Sequence, residues 1–211
     1  MALSRITLAD FRNHIDTSLE GARALNLLVG PNGAGKTNVL EALSLLAPGR
    51  GLRRAQLGDM VRQGGSGGFA VGASLTCEGE IRLGTLVEPD QPTRRKARAN
   101  GADTSAAALG EWLSVGWLTP AMDGLFVAPA SERRRYLDRL ALALDPHHAA
   151  NAARYDKALR ERNRLLASDA SPEPRWFDAI EHQLAQAGAL LAERRAALID
   201  ALMAEIVRHD E

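Results

Sequence analysis

Leu25-Asn26-Leu27-Leu28-Val29-Gly30-Pro31-Asn32-Gly33-Ala34-Gly35-Lys36-Thr37-Asn38-Val39-Leu40 is the stretch on which the reading of this chain turns. Leu25 to Val29 is a short, nearly continuous apolar run, which predicts a strand buried on both faces. A glycine-rich loop follows directly. Val39, Leu40, Leu43 and Leu46 then recur at helical spacing, and Pro48-Gly49 predicts the helix stop. Gly30 and Gly35-Lys36-Thr37 stand at the spacing of a phosphate-binding loop. The chemistry needs each part. Glycines let backbone N–H groups turn inward on β- and γ-phosphates without a Cβ in the way. Lys36 brings a mobile ammonium to the same oxygens, and the Thr37 hydroxyl is placed to coordinate Mg²⁺. The helix that begins near Lys36 aims its positive end at the phosphates. The candidate site is therefore Gly30, Pro31, Asn32, Gly33, Ala34, Gly35, Lys36 and Thr37. A guanine-reading Asn-Lys-x-Asp element needs a lysine preceded by asparagine; Lys36, Lys96 and Lys157 follow Gly35, Arg95 and Asp156, so ATP is favoured over GTP.

Working outward, Ile6 and Leu8 alternate with polar residues, as do Ile15, Thr17 and Leu19, so the first third reads β-β-β-loop-α. Beyond a breaker at Gly64 to Gly68, Phe69, Val71, Ala73, Leu75 and Cys77 alternate, turn at Glu78-Gly79, and are answered by Ile81, Leu83, Thr85 and Val87 as a hairpin. Asn100-Gly101 predicts a second tight hairpin turn, because both residues tolerate positive φ. A short helix is expected over Ala106 to Trp112 and a strand over Val115 to Leu118. From Ser131 the pattern is helical, with a polar break at Ser168 to Pro174. Ile180, Leu184, Ala187, Leu191, Leu198 and Leu202 then form a near-heptad stripe, which predicts an antiparallel helix pair. No helix-stop signal precedes Glu211, so the last helix is expected to continue. Two domains are expected, 1–130 and 131–211.

The 211 residues can bury a substantial core, and the formal net charge of +0 offers no argument for a nucleic-acid partner. A single cysteine, Cys77, excludes an intramolecular disulfide and fits a reducing cytosol. No stretch approaches the ~20 apolar residues of a membrane span, and the N-terminus lacks the pattern of a signal peptide.

Several pieces imitate catalytic elements. Leu142-Ala143-Leu144-Asp145 and Ala197-Leu198-Ile199-Asp200 are apolar runs ending in an acid, but both lie in helical stretches. Asp145 reads as a helix-end residue and Asp200 as a solvated one. Leu113-Ser114-Val115-Gly116 imitates a γ-phosphate-reading LSxG element but leads into an expected strand. His147 and His148 have no third ligand spaced with them. Arg133 to Arg135 are expected to pair with acidic neighbours such as Asp138 at helical spacing.

The sequence resembles the RecF family, the bacterial repair ATPases of the SMC-like branch of ABC-type ATPases. The residues that carry the resemblance are Leu8-x-x-Phe11-Arg12-Asn13, Gly30 to Thr37 with Asn38-Val39-Leu40-Glu41-Ala42, and Gly49-Arg50-Gly51-Leu52-Arg53. They continue with Thr119-Pro120, Arg133-Arg134-Arg135-Tyr136-Leu137-Asp138, Tyr155 with Leu159, and Arg162-Asn163. The resemblance implies an α/β fold: part of a P-loop ABC/SMC-type ATPase head, with a β-hairpin subdomain and a lateral helical lobe. It implies ATP with Mg²⁺ as cofactor, ATP-dependent homodimerisation on single-stranded or gapped DNA, weak hydrolysis, RecO and RecR as partners, and a cytoplasmic setting in gap repair and the SOS response. It also implies that the LSxG element and the Mg²⁺-holding acidic strand belong to the second half of a longer chain. Arg12, by likeness to SMC-type heads, approaches the nucleotide phosphates or else is a surface arginine at a strand end. Arg50, Arg53 and Arg54 contact a DNA backbone or lie in a solvated loop. A non-catalytic ATP-binding module and another P-loop enzyme, such as a kinase, are the alternatives.

Overall fold

The computed structural model describes residues 2–76, 79–142, 144–167 and 173–209. It divides into two compact units, Met1–Trp117 and Leu118–Glu211. In the first, β1 (Ala2–Phe11), β2 (His14–Glu20), β3 (Phe69–Thr76), β4 (Glu80–Val87), β5 (Arg95–Ala99) and β6 (Ala102–Thr104) form one six-stranded sheet in the order β2-β1-β3-β4-β5-β6. Every pairing is antiparallel. The alternation read from the sequence is the alternation seen: Ile6 and Leu8, then Phe69, Val71, Ala73 and Leu75, then Ile81, Leu83 and Val87 are buried on one face. Helix α1 (Lys36–Ser44) lays Val39 and Ala42 over that face, and Leu45, Leu46 and Met60 complete the core. Phe11 meets Phe69 edge to face at 5.2 Å, an arrangement that adds about 0.5–1.5 kcal/mol to area burial.

The turn at Asn100-Gly101 joins β5 to β6 as expected, with φ of 51° and 85°. The register is pinned from the side, since Arg82 N–H donates to Asn100 Oδ1 at 2.9 Å. The first hairpin also closes tightly: Phe11 faces His14, and the loop between them is Arg12-Asn13. Arg12 takes a φ of 55° there. A short helix, α2 (Leu57–Met60), runs past this turn, where Arg12 N–H donates to Met60 O at 2.7 Å and Arg62 N–H to Asp10 O at 2.8 Å.

Three local expectations fail. Leu25 to Val29 is not a strand: Leu25, Leu27 and Val29 are 92%, 87% and 82% exposed. A strand apolar on both faces needs a partner on each side, and no strand among the described residues pairs with this run. Val115 to Leu118 is irregular, without a ladder partner among the described residues, and the expected helix over Ala106 to Trp112 contracts to a single 3₁₀ turn at Ala108–Glu111.

The second unit contains α3 (Ala130–Ala141), α4 (His148–Leu166) and α5 (Pro174–His209). Helices α4 and α5 run antiparallel, because Arg162 pairs with Glu181 while Tyr155 packs on Gly188 further along α5. Of the expected stripe, Ile180, Ala187, Leu191 and Leu198 are buried, whereas Leu202 is 42% exposed. At 36 residues α5 outlasts its 19-residue partner, so its last turns lack α4 beneath them. Most of the Ser168 to Pro174 break, the end of the Cys77 strand with its Glu78 turn, and Ala143 lie outside the described residues. No described helix is long and apolar enough to cross a membrane.

The charges of this unit are arranged differently from the expectation. Asp138 does not take Arg133, Arg134 or Arg135. It receives Arg195 of α5 through two hydrogen bonds of 2.8 and 2.9 Å, and the buried His148 ring at 2.9 Å. Both carboxylate oxygens thus accept from cross-helix partners, and Arg195 brings the opposite charge that the same-helix arginines were expected to supply. Arg133 instead donates to Phe126 O and Ala128 O. Asp145 is not a helix-end residue, since α3 stops at Ala141; it lies in the connection to α4, accepting His147 N–H at 3.0 Å and pairing with Arg194 at 3.1 Å, while Asp200 lies exposed within α5.

Candidate nucleotide-binding site

The phosphate-loop residues form a closed turn at the start of α1. Gly35, at φ 92° and ψ 6°, is the last residue before the helix, no side chain caps it, and no acid occupies its first turn. The first N–H groups of α1 therefore keep their partial positive charge for an incoming anion. Lys36 folds back so that Nζ donates to Gly30 O at 2.7 Å and Pro31 O at 2.8 Å, tying the end of the loop to its beginning. Gly33 sits at φ 85°, a conformation an L side chain resists. Thr37 is exposed at the first turn of the helix. Its hydroxyl is a hard oxygen donor of the kind Mg²⁺ selects.

The loop is held from behind by the β1–β2 turn. Asn13 Nδ2 donates to Gly33 O at 3.0 Å, and Asn13 Oδ1 accepts from Asn38 Nδ2 at 2.8 Å. His14 Nε2 lies 3.3 Å from Gly35 O, and its Nδ1 lies 3.0 Å from Thr17 Oγ1. One tautomer satisfies both contacts, with the proton on Nε2 and Thr17 donating to Nδ1. This approach fixes residue 35 as glycine: a Cβ there would stand 2.5 Å from His14 Nε2 and 2.7 Å from Asn13 Oδ1.

Behind the turn, Glu41 of α1 is fully buried. Its carboxylate accepts Arg12 Nε and Nη2 at 2.9 and 2.8 Å and Arg53 Nη1 at 2.9 Å. Arg53 also reaches Asn38 Oδ1 at 2.9 Å, and Arg12 Nη1 donates to Asp59 O. The hydrogen bonds to Glu41 hold the Arg12 guanidinium charged, above its ordinary range, against the opposing effect of burial. Arg12 thus lies with its guanidinium on Glu41 and α2, one residue from the Asn13 contact to the loop. Nearby, hydrogen bonds from Arg62 and Ser66 hold the Asp10 carboxyl down to about 2.

The structure brings Gly30 to Thr37 together as one turn and sets Arg12 behind it. Sequence reading assigned no role to Asn13, His14 or Glu41, and it offered Arg53 as a DNA-backbone contact or a solvated loop residue, whereas its guanidinium lies on Glu41 and Asn38. The one local signal was an acid, Glu41, standing between the apolar Leu40 and Ala42 of the expected helix, and it carried no mark of its partners.

A loop of this construction between an apolar run and a helix, in a unit built on an antiparallel sheet and followed in the chain by a helical unit, has the fold of part of a P-loop ATPase head of the SMC-like type. The chain belongs to the family described as AAA domain, putative AbiEii toxin, Type IV TA system, which matches residues 25–165. Within that class the expected likeness to RecF is found over nearly the whole chain. It is 50% identical over 209 residues to the DNA replication and repair protein RecF of Mesorhizobium japonicum, covering 98% of this chain and 55% of that protein. The fold superposes on the solved structure of the recombination mediator protein RecF-ATP of the RecFOR pathway with a TM-score of 0.80 at 25% identity, covering 94% of this chain and 54% of the other. The Smc head domain with an extended coiled coil from Pyrococcus furiosus shares the fold at a TM-score of 0.50 and 18% identity, over 94% of this chain and 57% of that one. The chain spans about half the length of the curated relatives it matches.

Proposed function

We propose that this chain is the nucleotide-binding part of an ATP-dependent DNA replication and repair protein of the RecF type. The observation that carries the reading is the loop from Gly30 to Thr37, closed by Lys36 and left with an uncapped helix N-terminus. In this reading the backbone N–H groups of Asn32 to Lys36 cradle the β- and γ-phosphates. Lys36 exchanges its bonds to Gly30 O and Pro31 O for phosphate oxygens at little cost, since the acceptors are replaced by charged ones. Thr37 holds Mg²⁺, which neutralises phosphate charge when bound. Arg12 acts from behind the loop, through Glu41 and the neighbouring Asn13, unless nucleotide draws its guanidinium forward.

The likeness to RecF supports a wider reading. ATP acts as the gate for DNA binding by a homodimer at single-stranded gaps, in the cytoplasm, alongside RecO and RecR in recombinational repair and the SOS response. The test is calorimetry with ATP and Mg²⁺. Lys36→Ala is expected to abolish the binding isotherm while leaving the circular dichroism spectrum unchanged. Affinity equal to that of the unsubstituted chain overturns the assignment of the loop.

A further inference from the structure

Beyond the end of α1 a cleft of about 600 Å³ opens between the loop at Gly49-Arg50, the α2 segment from Ala55 to Met60, and the approach to β5 at Pro92, Thr93 and Arg95. Two cations line it, Arg50 and Arg95, and no carboxylate does. Six other guanidiniums of this unit meet carboxylates: Arg5 with Glu20, Arg12 and Arg53 with Glu41, Arg62 with Asp10, Arg82 with Glu80, and Arg98 with Asp103. Among the described residues the side chains of Arg50 and Arg95 have no such partner. Arg23, Arg54 and Arg94 also lack an ion pair among the described residues; Arg50 and Arg95 differ in sharing one cleft. Arg95 is also half-buried, and that desolvation pushes its pKa down. A half-buried guanidinium without a protein acceptor leaves its donors to water, and an anion brought into the cleft takes water's place with a full charge. Bidentate geometry suits arginine to phosphate oxygens.

We propose that the Arg50–Arg95 cleft binds a phosphate of a nucleic-acid backbone, separately from the triphosphate loop. The proposal rests on the DNA-binding reading above and names where on this chain the backbone would be gripped. The separation follows from α1. The loop lies at its N-terminus and Arg50 beyond its C-terminus, with about 13 Å of helix between them at 1.5 Å per residue. Ala55 and Leu57 give the same cleft an apolar wall, against which a sugar fits while the two arginines take the phosphate. Free polyphosphate shares the chemistry of the backbone, so the test has an arm for each source.

The experiment measures fluorescence anisotropy of a labelled single-stranded oligonucleotide against salt, with ATP and Mg²⁺ present. It compares the unsubstituted chain, Arg50→Gln, Arg95→Gln, the double variant, and Arg82→Gln as an exposed control. Calorimetry with tripolyphosphate runs in parallel. Removal of each cleft arginine is expected to make the slope of log affinity against log salt shallower by about 0.7. ATP affinity and melting temperature should stay unchanged, and Arg82→Gln should leave the slope as it was. A double variant that binds the oligonucleotide with the original slope overturns the cleft proposal alone. Loss of tripolyphosphate binding with oligonucleotide binding intact overturns it too, in favour of a small-anion site. An unsubstituted chain that shows no oligonucleotide affinity overturns both this proposal and the DNA reading on which it rests.

Discussion

Glu41 is the residue on which the loop's support converges. Its carboxylate is fully buried, and three guanidinium N–H groups from Arg12 and Arg53 satisfy it. A buried ion pair adds little over an apolar replacement, but breaking one by removing a single partner is costly, on the order of 3–5 kcal/mol. Glu41→Ala is expected to lower stability by about that amount in urea unfolding, because Arg12 is left without its main acceptor. It should also weaken ATP binding beyond what the loss of stability explains, since Arg12 precedes the asparagine that holds Gly33. Gly35→Ala separates the two effects. The added methyl meets His14 and Asn13 rather than core atoms, so ATP affinity should fall while the core stays packed; unchanged affinity would show that the β1–β2 turn does not position the loop. The loop glycines were legible because their spacing is itself the chemistry. The network behind them was not: Arg12 and Glu41 stand 29 residues apart, and nothing local to either residue announces that they meet.

Two apolar runs illustrate at the scale of elements what pattern can and cannot decide. Ile6 and Leu8 in β1 and Leu25 to Val29 before the loop look equally strand-like in sequence, yet Leu8 is fully buried and Leu27 is 87% exposed. Leu8→Ala is expected to cost about 2–5 kcal/mol through the cavity it leaves. Leu27→Ala in this chain should stay within about 0.5 kcal/mol, as for an ordinary surface site. Denaturant melts of the two variants check this, and a large loss at Leu27 would mean that the run packs against something in solution. Antiparallel hairpins were readable because a hairpin carries both of its strands and its turn in one short stretch, as at Asn100-Gly101. A strand that needs partners from elsewhere in the chain carries only half of its own description. The same limit applies to α5, whose stripe from Ile180 to Leu198 was legible while the exposure of Leu202 depended on where α4 ends. It applies again to Arg133, Arg134 and Arg135, whose expected partner Asp138 is taken by Arg195 and His148 from other helices.

On the scale of the whole molecule, each unit carries a carboxylate held below its ordinary range, and this sets how the protein meets acid. Asp10 ties β1 to the Arg62–Ser66 segment in the first unit, with its pKa lowered from 3.8 to about 2. Asp138 ties α3 to α4 and α5 in the second. Burial raises its pKa, but hydrogen bonds from His148 and Arg195 outweigh that, and the net shift is downward from 3.8. In both cases the unfolded chain takes up its proton first as pH falls. The stabilisation is therefore fully present above pH 3.8 and is lost as pH drops from there through the folded-state value. Hydrogen exchange read by mass spectrometry, segment by segment from pH 5 to pH 2, should show protection of α3 to α5 falling only below about pH 4, the unfolded carboxyl range. Asp138→Asn keeps the shape but removes the charge that receives Arg195. It should cost about 1–3 kcal/mol at neutral pH, as expected when charged donors lose their acceptor, and flatten the acid response of the helical unit while leaving that of the sheet unit intact. An Asp138→Asn protein whose helices lose protection over the same pH range as the parent would mean that Asp138 does not govern the acid stability of this unit.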